Sequence, residues 1–217
     1  AGWVPDRLLC LLDRAALVVQ QIELLVREGR PLGRQPRRGV GPHGQIPHPR
    51  PLEPVDALDL TIYGGEFYAL VGPNGAGKTT TLRMVVGLLK PDAGSIRIGG
   101  IDALSDPVAA KQITAWLSDE PMIYDKLTPY EYLEFVAGLW RIDPAVAQGR
   151  ARELIGWLGL EPHAHERCEG FSRGMRQKVA LAGALVHDPK LIILDEPLTG
   201  LDAGTARQVK DVLRARV

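Results

Sequence analysis

The chain has 217 residues, 45% of them apolar and 24% charged, and its 26 basic side chains balance 26 acidic ones. That length suffices for one domain with a core of its own, and the neutral balance gives no support to a nucleic-acid or anionic-membrane surface. Cys10 and Cys168 stand far apart without metal-ligand spacing, which speaks against a zinc site or a disulfide framework and fits a reducing cytosol.

Along the chain, the first apolar stretch, 8–26, is broken by Asp13, Arg14 and Glu23. A membrane-spanning helix needs roughly 20 mostly apolar residues, so this stretch does not read as one. Asp6 and Asp13 flank the short run 8–12 and no clean cleavage site follows, which is unlike a secretory leader. Leu8, Leu11, Leu12, Ala15, Val18, Val19, Ile22 and Leu25 recur at helical spacing and predict an amphipathic helix over 7–28. Pro31, Pro36, Pro42, Pro47, Pro49, Pro51 and Pro54 then block regular structure, so 1–54 reads as a helix followed by a poorly ordered arm. Its Arg34, Arg37 and Arg38 read as a solvated charge run.

From Val55 short apolar runs alternate with helical patterns, the mark of an α/β domain, read here as 55–217. Strands are expected at 58–62 and 67–71 across the turn Tyr63-Gly64-Gly65-Glu66, then a helix over 78–89, strands at 96–98 and 113–117, and a helix near 106–111 between them. Thr128-Pro129-Tyr130-Glu131 carries a cap, a proline at the first helical position and a glutamate three residues after the cap, which predicts a helix to about 140. Asp143-Pro144 repeats the device for a helix to about 158. With a third helix after Ser172 these form a helical insertion over about 122–187. The unbroken apolar run 191–194 reads as a buried strand.

Gly72-Pro73-Asn74-Gly75-Ala76-Gly77-Lys78-Thr79 matches G-x-x-x-x-G-K-[ST] in full and falls between an apolar strand and a helix. Glycines let such a loop turn its N–H groups inward around a phosphate at the helix N-terminus. Lys78 is placed to reach the β and γ oxygens, Thr79 to put its hydroxyl on Mg²⁺, and Thr80 to meet the α-phosphate. Asp195 and Glu196 follow the 191–194 strand, at the carboxyl edge where open α/β sheets bind ligands. This is a Walker B arrangement: Asp195 would hold Mg²⁺, and Glu196 would polarise the water that attacks the γ-phosphate.

Two more segments stand in order with these, 171–178 (Phe-Ser-Arg-Gly-Met-Arg-Gln-Lys) and 198–202 (Leu-Thr-Gly-Leu-Asp). Together the four resemble the ABC ATPase family over about 55–217. The resemblance implies a P-loop fold with a mostly parallel sheet flanked by helices, and ATP with Mg²⁺ as the ligands. The first segment resembles the family's signature loop, usually Leu-Ser-Gly-Gly-Gln, in which only Ser172 and Gly174 match. Ser172 is a good helix cap, and amides after it would aim a positive helix end at an anion. In the family that anion is the γ-phosphate bound by a second ATP-binding subunit, so two domains sandwich two ATP molecules. The second segment resembles the D-loop, with Asp202 matching. Asp119, in 116–121 (Trp-Leu-Ser-Asp-Glu-Pro), takes the place of the Q-loop glutamine, where a carboxylate would still meet the metal.

The variant Ser-Arg-Gly-Met resembles subunits that serve exporters of the ABC-2 kind. The implied function is an ATPase on the inner face of the cell membrane, homo- or heterodimeric, that touches the membrane only through a separate permease and binds no nucleic acid. The upstream strand with an adenine-stacking aromatic is not recognised in the 1–54 arm. The switch histidine is not found by Val217, and His187, which precedes Asp195, reads as structural. These departures lead us to expect a chain truncated at its C-terminus with an incomplete final sheet. They keep a non-hydrolysing nucleotide-binding or interaction fragment as the alternative. A soluble family member of translation or DNA maintenance fits less well, since paired cassettes and long coiled coils are lacking in this sequence.

Overall fold

The computed structural model describes residues 16–19, 22–27, 58–120, 122–198 and 201–214. Its strands are β1 (Ala16–Val19), β2 (Ile22–Arg27), β3 (Leu58–Ile62), β4 (Glu66–Ala69), β5 (Ala93–Ile98), β6 (Ile101–Asp102), β7 (Thr114–Leu117) and β8 (Leu191–Leu194). Its helices are α1 (Lys78–Val85), α2 (Pro107–Gln112), α3 (Pro129–Leu139), α4 (Pro144–Trp157), α5 (Arg173–Leu185) and α6 (Ala203–Arg214).

The strands form two sheets, ordered β4-β1-β8-β7 and β3-β2-β5-β6. In the first sheet β7 and β8 run parallel, while β1 lies antiparallel to both β4 and β8. It follows that β4, β8 and β7 all point the same way and β1 runs against them. The second sheet is antiparallel throughout, with β2 between β3 and β5. The N-terminal segment is therefore corrected: within the helix expected over 7–28, the described residues 16–19 and 22–27 are strands. Val18, Val19, Ile22 and Val26 are β-branched, and a short apolar run is ambiguous between helix and strand until a sheet offers it partners. The arm 28–54 lies outside the described residues.

The helices start where the sequence places their caps. Thr128 and Glu131 form a reciprocal capping box at α3, with Glu131 N–H donating to Thr128 Oγ1 at 3.3 Å and Thr128 N–H to Glu131 Oε2 at 2.8 Å. Asp143 caps α4 by accepting from Ala145 and Val146. The helix expected over 78–89 stops at Val85; Gly87 turns the chain at φ +69, and Leu88 N–H bonds back to the Arg83 carbonyl at 2.8 Å.

Two hydrophobic cores result. One gathers α3, α4, α5 and α6 against β7 and β8 around Leu133, Leu154, Ile155 and Leu181. The other seals α1 and α2 against the β3–β5 face around Ile62, Leu82, Ile96 and Ile98. β8 belongs to both: Ile192 and Leu194 enter the first core, Leu191 and Ile193 the second, by the two-residue alternation of a strand buried on both faces. His187 stacks on Trp140 with ring centroids 4.2 Å apart, and burial pushes its pKa down, in keeping with a structural role.

Candidate functional site: a phosphate loop and its acidic strand

β4 leads into the glycine loop and α1 leads out of it. Gly75 and Gly77 sit at φ +87 and +81, conformations open chiefly to glycine. At Gly72 an added Cβ would come within 3.2 Å of the Ala76 Cβ, so the loop closes tightly on itself. Gly77 is the N-cap of α1 and brings no side-chain cap, which leaves first-turn amides available to a ligand. Lys78 Nζ donates to the carbonyls of Gly72 and Pro73 at 2.9 and 3.0 Å, holding the ammonium across the loop. Pro73, Asn74 and Ala76 form the exposed crest, and Thr79 and Thr80 follow half-buried on the first turn of α1.

Thr79 Oγ1 donates to Asp195 Oδ1 at 3.3 Å, joining positions 116 residues apart. β8 carries Asp195 there, and the Asp195 N–H is fixed on the Leu117 carbonyl at 2.9 Å. Asp195 is only 3% exposed. Burial pushes its carboxyl above the ordinary range, the Thr79 hydroxyl opposes that shift, and the charges of Asp119 and Glu196 add to it. Asp119 is exposed yet close enough to act on Asp195 through its charge. Glu196 stands at φ +46, a left-handed conformation rare outside glycine.

A second group forms elsewhere. Ser172 caps α5, its Oγ accepting from Met175 N–H at 3.2 Å. Gly174, the second residue of α5, lies against α6: an added Cβ would sit 3.4 Å from Thr205 Cγ2 and 3.8 Å from Leu201 Cδ2. Asp202 caps α6 by accepting from Thr205 N–H at 3.0 Å and Thr205 Oγ1 at 2.7 Å. The bonds of Ser172 and Asp202 thus run to Met175 and Thr205, within their own helices, not to the phosphate loop.

Two residues to which the sequence reading gives no role also bear on the acidic edge. Arg83 lowers the Asp195 carboxyl through its charge, and its place four residues after Thr79 on one helical face is a signal the sequence does carry. Gln177 donates its side-chain N–H to the Pro197 carbonyl at 3.2 Å, a buried bond with no signature in sequence spacing.

A glycine loop between strand and helix, its threonine bonded to a buried aspartate at the end of a co-directional strand, defines a P-loop nucleotide-binding domain. The ABC transporter family model matches residues 55–199. The ABC transporter ATP-binding protein NatA of Bacillus subtilis (strain 168) is 38% identical over 164 residues, 75% of this chain and 67% of that protein. The daunorubicin/doxorubicin resistance ATP-binding protein DrrA of Streptomyces peucetius is 37% identical over 183 residues, 84% of this chain and 56% of that protein. A solved structure of an ATP-binding subunit of an ABC transporter superposes with a TM-score of 0.62 at 29% identity, covering 72% of this chain and 68% of that one. The chain belongs to the ABC transporter family, and its resemblance is to the ATP-binding proteins of that family. It spans about half to two thirds of the length of the curated relatives it matches.

Proposed function

We propose that this chain binds and hydrolyses ATP as the energising subunit of a membrane transporter, working through a separate permease. The observation that carries the reading is the bond from Thr79 to Asp195, which brings the loop and the acidic strand to one point. The loop amides and Lys78 would hold the phosphates, with Lys78 exchanging its bonds to the Gly72 and Pro73 carbonyls for β and γ oxygens. Thr80 would meet the α-phosphate. Glu196 would accept hydrogen-bonding water at its carboxylate and orient it in line with the γ-phosphate.

The donor set fits Mg²⁺. A threonine hydroxyl and a buried carboxylate are hard oxygen donors, and the crowding of Asp195 by Asp119 and Glu196 would be relieved by a divalent cation. Among the described residues no group of three or more acidic, His or Cys side chains could hold a metal ion by itself. That agrees with a cation bound by one or two protein ligands and the phosphates together. When bound, it would neutralise charge on the β and γ oxygens; Asp119 is proposed as a further contact through water.

Ser172 and Gly174 would present the first turn of α5 to the γ-phosphate of a second ATP-binding subunit, and Asp202 would border that interface. Among the described residues no helix is long and apolar enough to cross a membrane, and we place the subunit peripherally on the inner face, held there by the permease. An apolar groove of about 530 Å³ between β7, α3 and α5, lined by Trp116, Met122, Tyr132, Val136 and Trp140, is a fitting surface for that contact. The names of relatives such as the SkfA peptide export ATP-binding protein SkfE of Bacillus subtilis (strain 168), 39% identical over 164 residues, favour export.

Calorimetry with MgATP on this chain and on Lys78→Ala, beside phosphate release from Glu196→Gln, tests the proposal. Binding lost in Lys78→Ala and turnover lost in Glu196→Gln are the expected results. Binding without turnover in the unaltered chain would replace the ATPase with a nucleotide-binding module, and no binding at all would end both readings.

A further inference from the structure

Glu196 occupies backbone space, φ +46, that side chains with a Cβ seldom adopt. Such a conformation persists only where its surroundings hold it. On the N-terminal side the hold is plain, because Asp195 N–H is fixed on the Leu117 carbonyl across the β7–β8 pair. On the C-terminal side it comes from a helix distant in sequence. Gln177 of α5, itself 4% exposed, donates Nε2–H to the Pro197 carbonyl at 3.2 Å. Pro197 has a ring-locked φ, so fixing its carbonyl leaves the peptide that follows Glu196 little freedom.

The choice of residue is informative. Burying an amide costs free energy unless it is bonded, and a leucine of similar size would fill the same space without that cost. A glutamine here secures the one thing a leucine cannot: a directed donor to the carbonyl beside Glu196. The same helix begins at Ser172 and meets α6 at Gly174. The first turn of α5 and the bond to Pro197 are therefore carried by the same helix.

We infer that Gln177 is a positioning residue for Glu196, coupling the aim of the hydrolytic carboxylate to the placement of α5. The inference rests on the ATPase reading above for its catalytic consequence, but the tether itself does not. Movement of α5, whose first turn is proposed to touch the second subunit's nucleotide, is passed to Glu196 through the bond to Pro197.

Gln177→Leu and Gln177→Glu, each in the full chain, test this. Expected for Gln177→Leu is MgATP affinity within about threefold of the unaltered chain, with maximal phosphate release down by about tenfold and KM little changed, as loss of one buried directed bond implies. Gln177→Glu separates bonding from packing. Ionised, at about pH 8, it cannot donate and its charge repels the Pro197 carbonyl, so turnover should fall at least as far as in the leucine variant; protonated, towards about pH 6, its O–H can donate and turnover should recover in part, because burial raises a glutamate pKa. Turnover at the unaltered rate in Gln177→Leu overturns the inference. So does a parallel fall of affinity and turnover with no acid recovery in Gln177→Glu, which would mean that Gln177 only holds the fold.

Amide hydrogen exchange supplies a readout independent of hydrolysis. The amides of Glu196 and Leu198 should exchange about tenfold faster in Gln177→Leu while α5 keeps its protection. Unchanged exchange at 196 and 198 overturns the tether even in a chain without turnover. An unaltered chain that binds MgATP and releases no phosphate sinks the ATPase reading alone. Should the leucine variant fail to fold, Gln177→Met, unbranched like glutamine and without the donor, carries the same exchange measurement.

Discussion

Both α1 and α5 are read as pointing a positive N-terminus at a phosphate, yet they are finished differently. α1 begins on Gly77 at φ +81, with no side-chain cap. α5 begins on Ser172 in extended conformation, with its hydroxyl already bonded to the Met175 amide. An uncapped start has unmet donors that only a ligand or water can satisfy, so it suits a tight primary phosphate site. A capped start is stable alone and needs its anion less, which suits a surface that meets a nucleotide held mainly by another molecule. On the proposed reading, one end would depend on its ligand and the other would merely accommodate one.

The sharpest way to break that contrast is at the cap of α1. Gly77→Ala places a Cβ on a left-handed backbone, a strain of about 1–3 kcal/mol, and the expected loss of MgATP affinity is about tenfold to a hundredfold. Calorimetry on the single variant decides it, and unchanged affinity would show that the loop does not depend on its backbone shape. A smaller effect is expected on the other helix. Ser172→Ala removes a cap worth about 1 kcal/mol of stability, read as a lowered melting temperature, while MgATP affinity measured on the chain itself stays the same. A large fall in that affinity would place Ser172 at this chain's own nucleotide and erase the distinction.

The mildest effect concerns the carboxylate that faces α1. Asp195 is pushed above the ordinary aspartate value of 3.8 by burial and by its acidic neighbours. A carboxyl in that position binds its proton more tightly folded than unfolded, so folding stability declines as pH rises from about the ordinary value through the raised one. Asp195→Asn should flatten that decline and melt about 2–4 °C higher at neutral pH. The same substitution should weaken Mg²⁺-dependent nucleotide binding, a trade of stability against function at one atom. A lower melting temperature for the asparagine would show that the charge of Asp195, favoured by Thr79 and Arg83, outweighs the crowding.

How much of this was legible in the sequence follows from where the information sits. The caps at Thr128 and Asp143 and the run Leu191–Leu194 act over a few residues, and the elements they announce lie within a residue or two of where the sequence puts them. The meeting of Thr79 with Asp195 could be foreseen because two local motifs each imply the same ligand. β1 and β2 could not. Residues 16–27 carry apolar spacing that serves a helix as well as a strand, and what decides is hydrogen bonding to β4, β8, β3 and β5, which lie far along the chain. Gln177 was hidden for the same reason: its partner is a backbone carbonyl, which leaves no trace in residue identity.

β8 is four residues long, buried on both faces, and is followed directly by Asp195 and Glu196. A party wall of this kind has no free side on which to absorb change. A volume error at Ile192 pushes on the helical half and one at Ile193 on the nucleotide half, and either displaces the carboxylates at the strand's end. Inheritance is constrained accordingly: the helical half can diversify to suit new partners at its outer surface, but its inner surface must keep the shape that this strand requires.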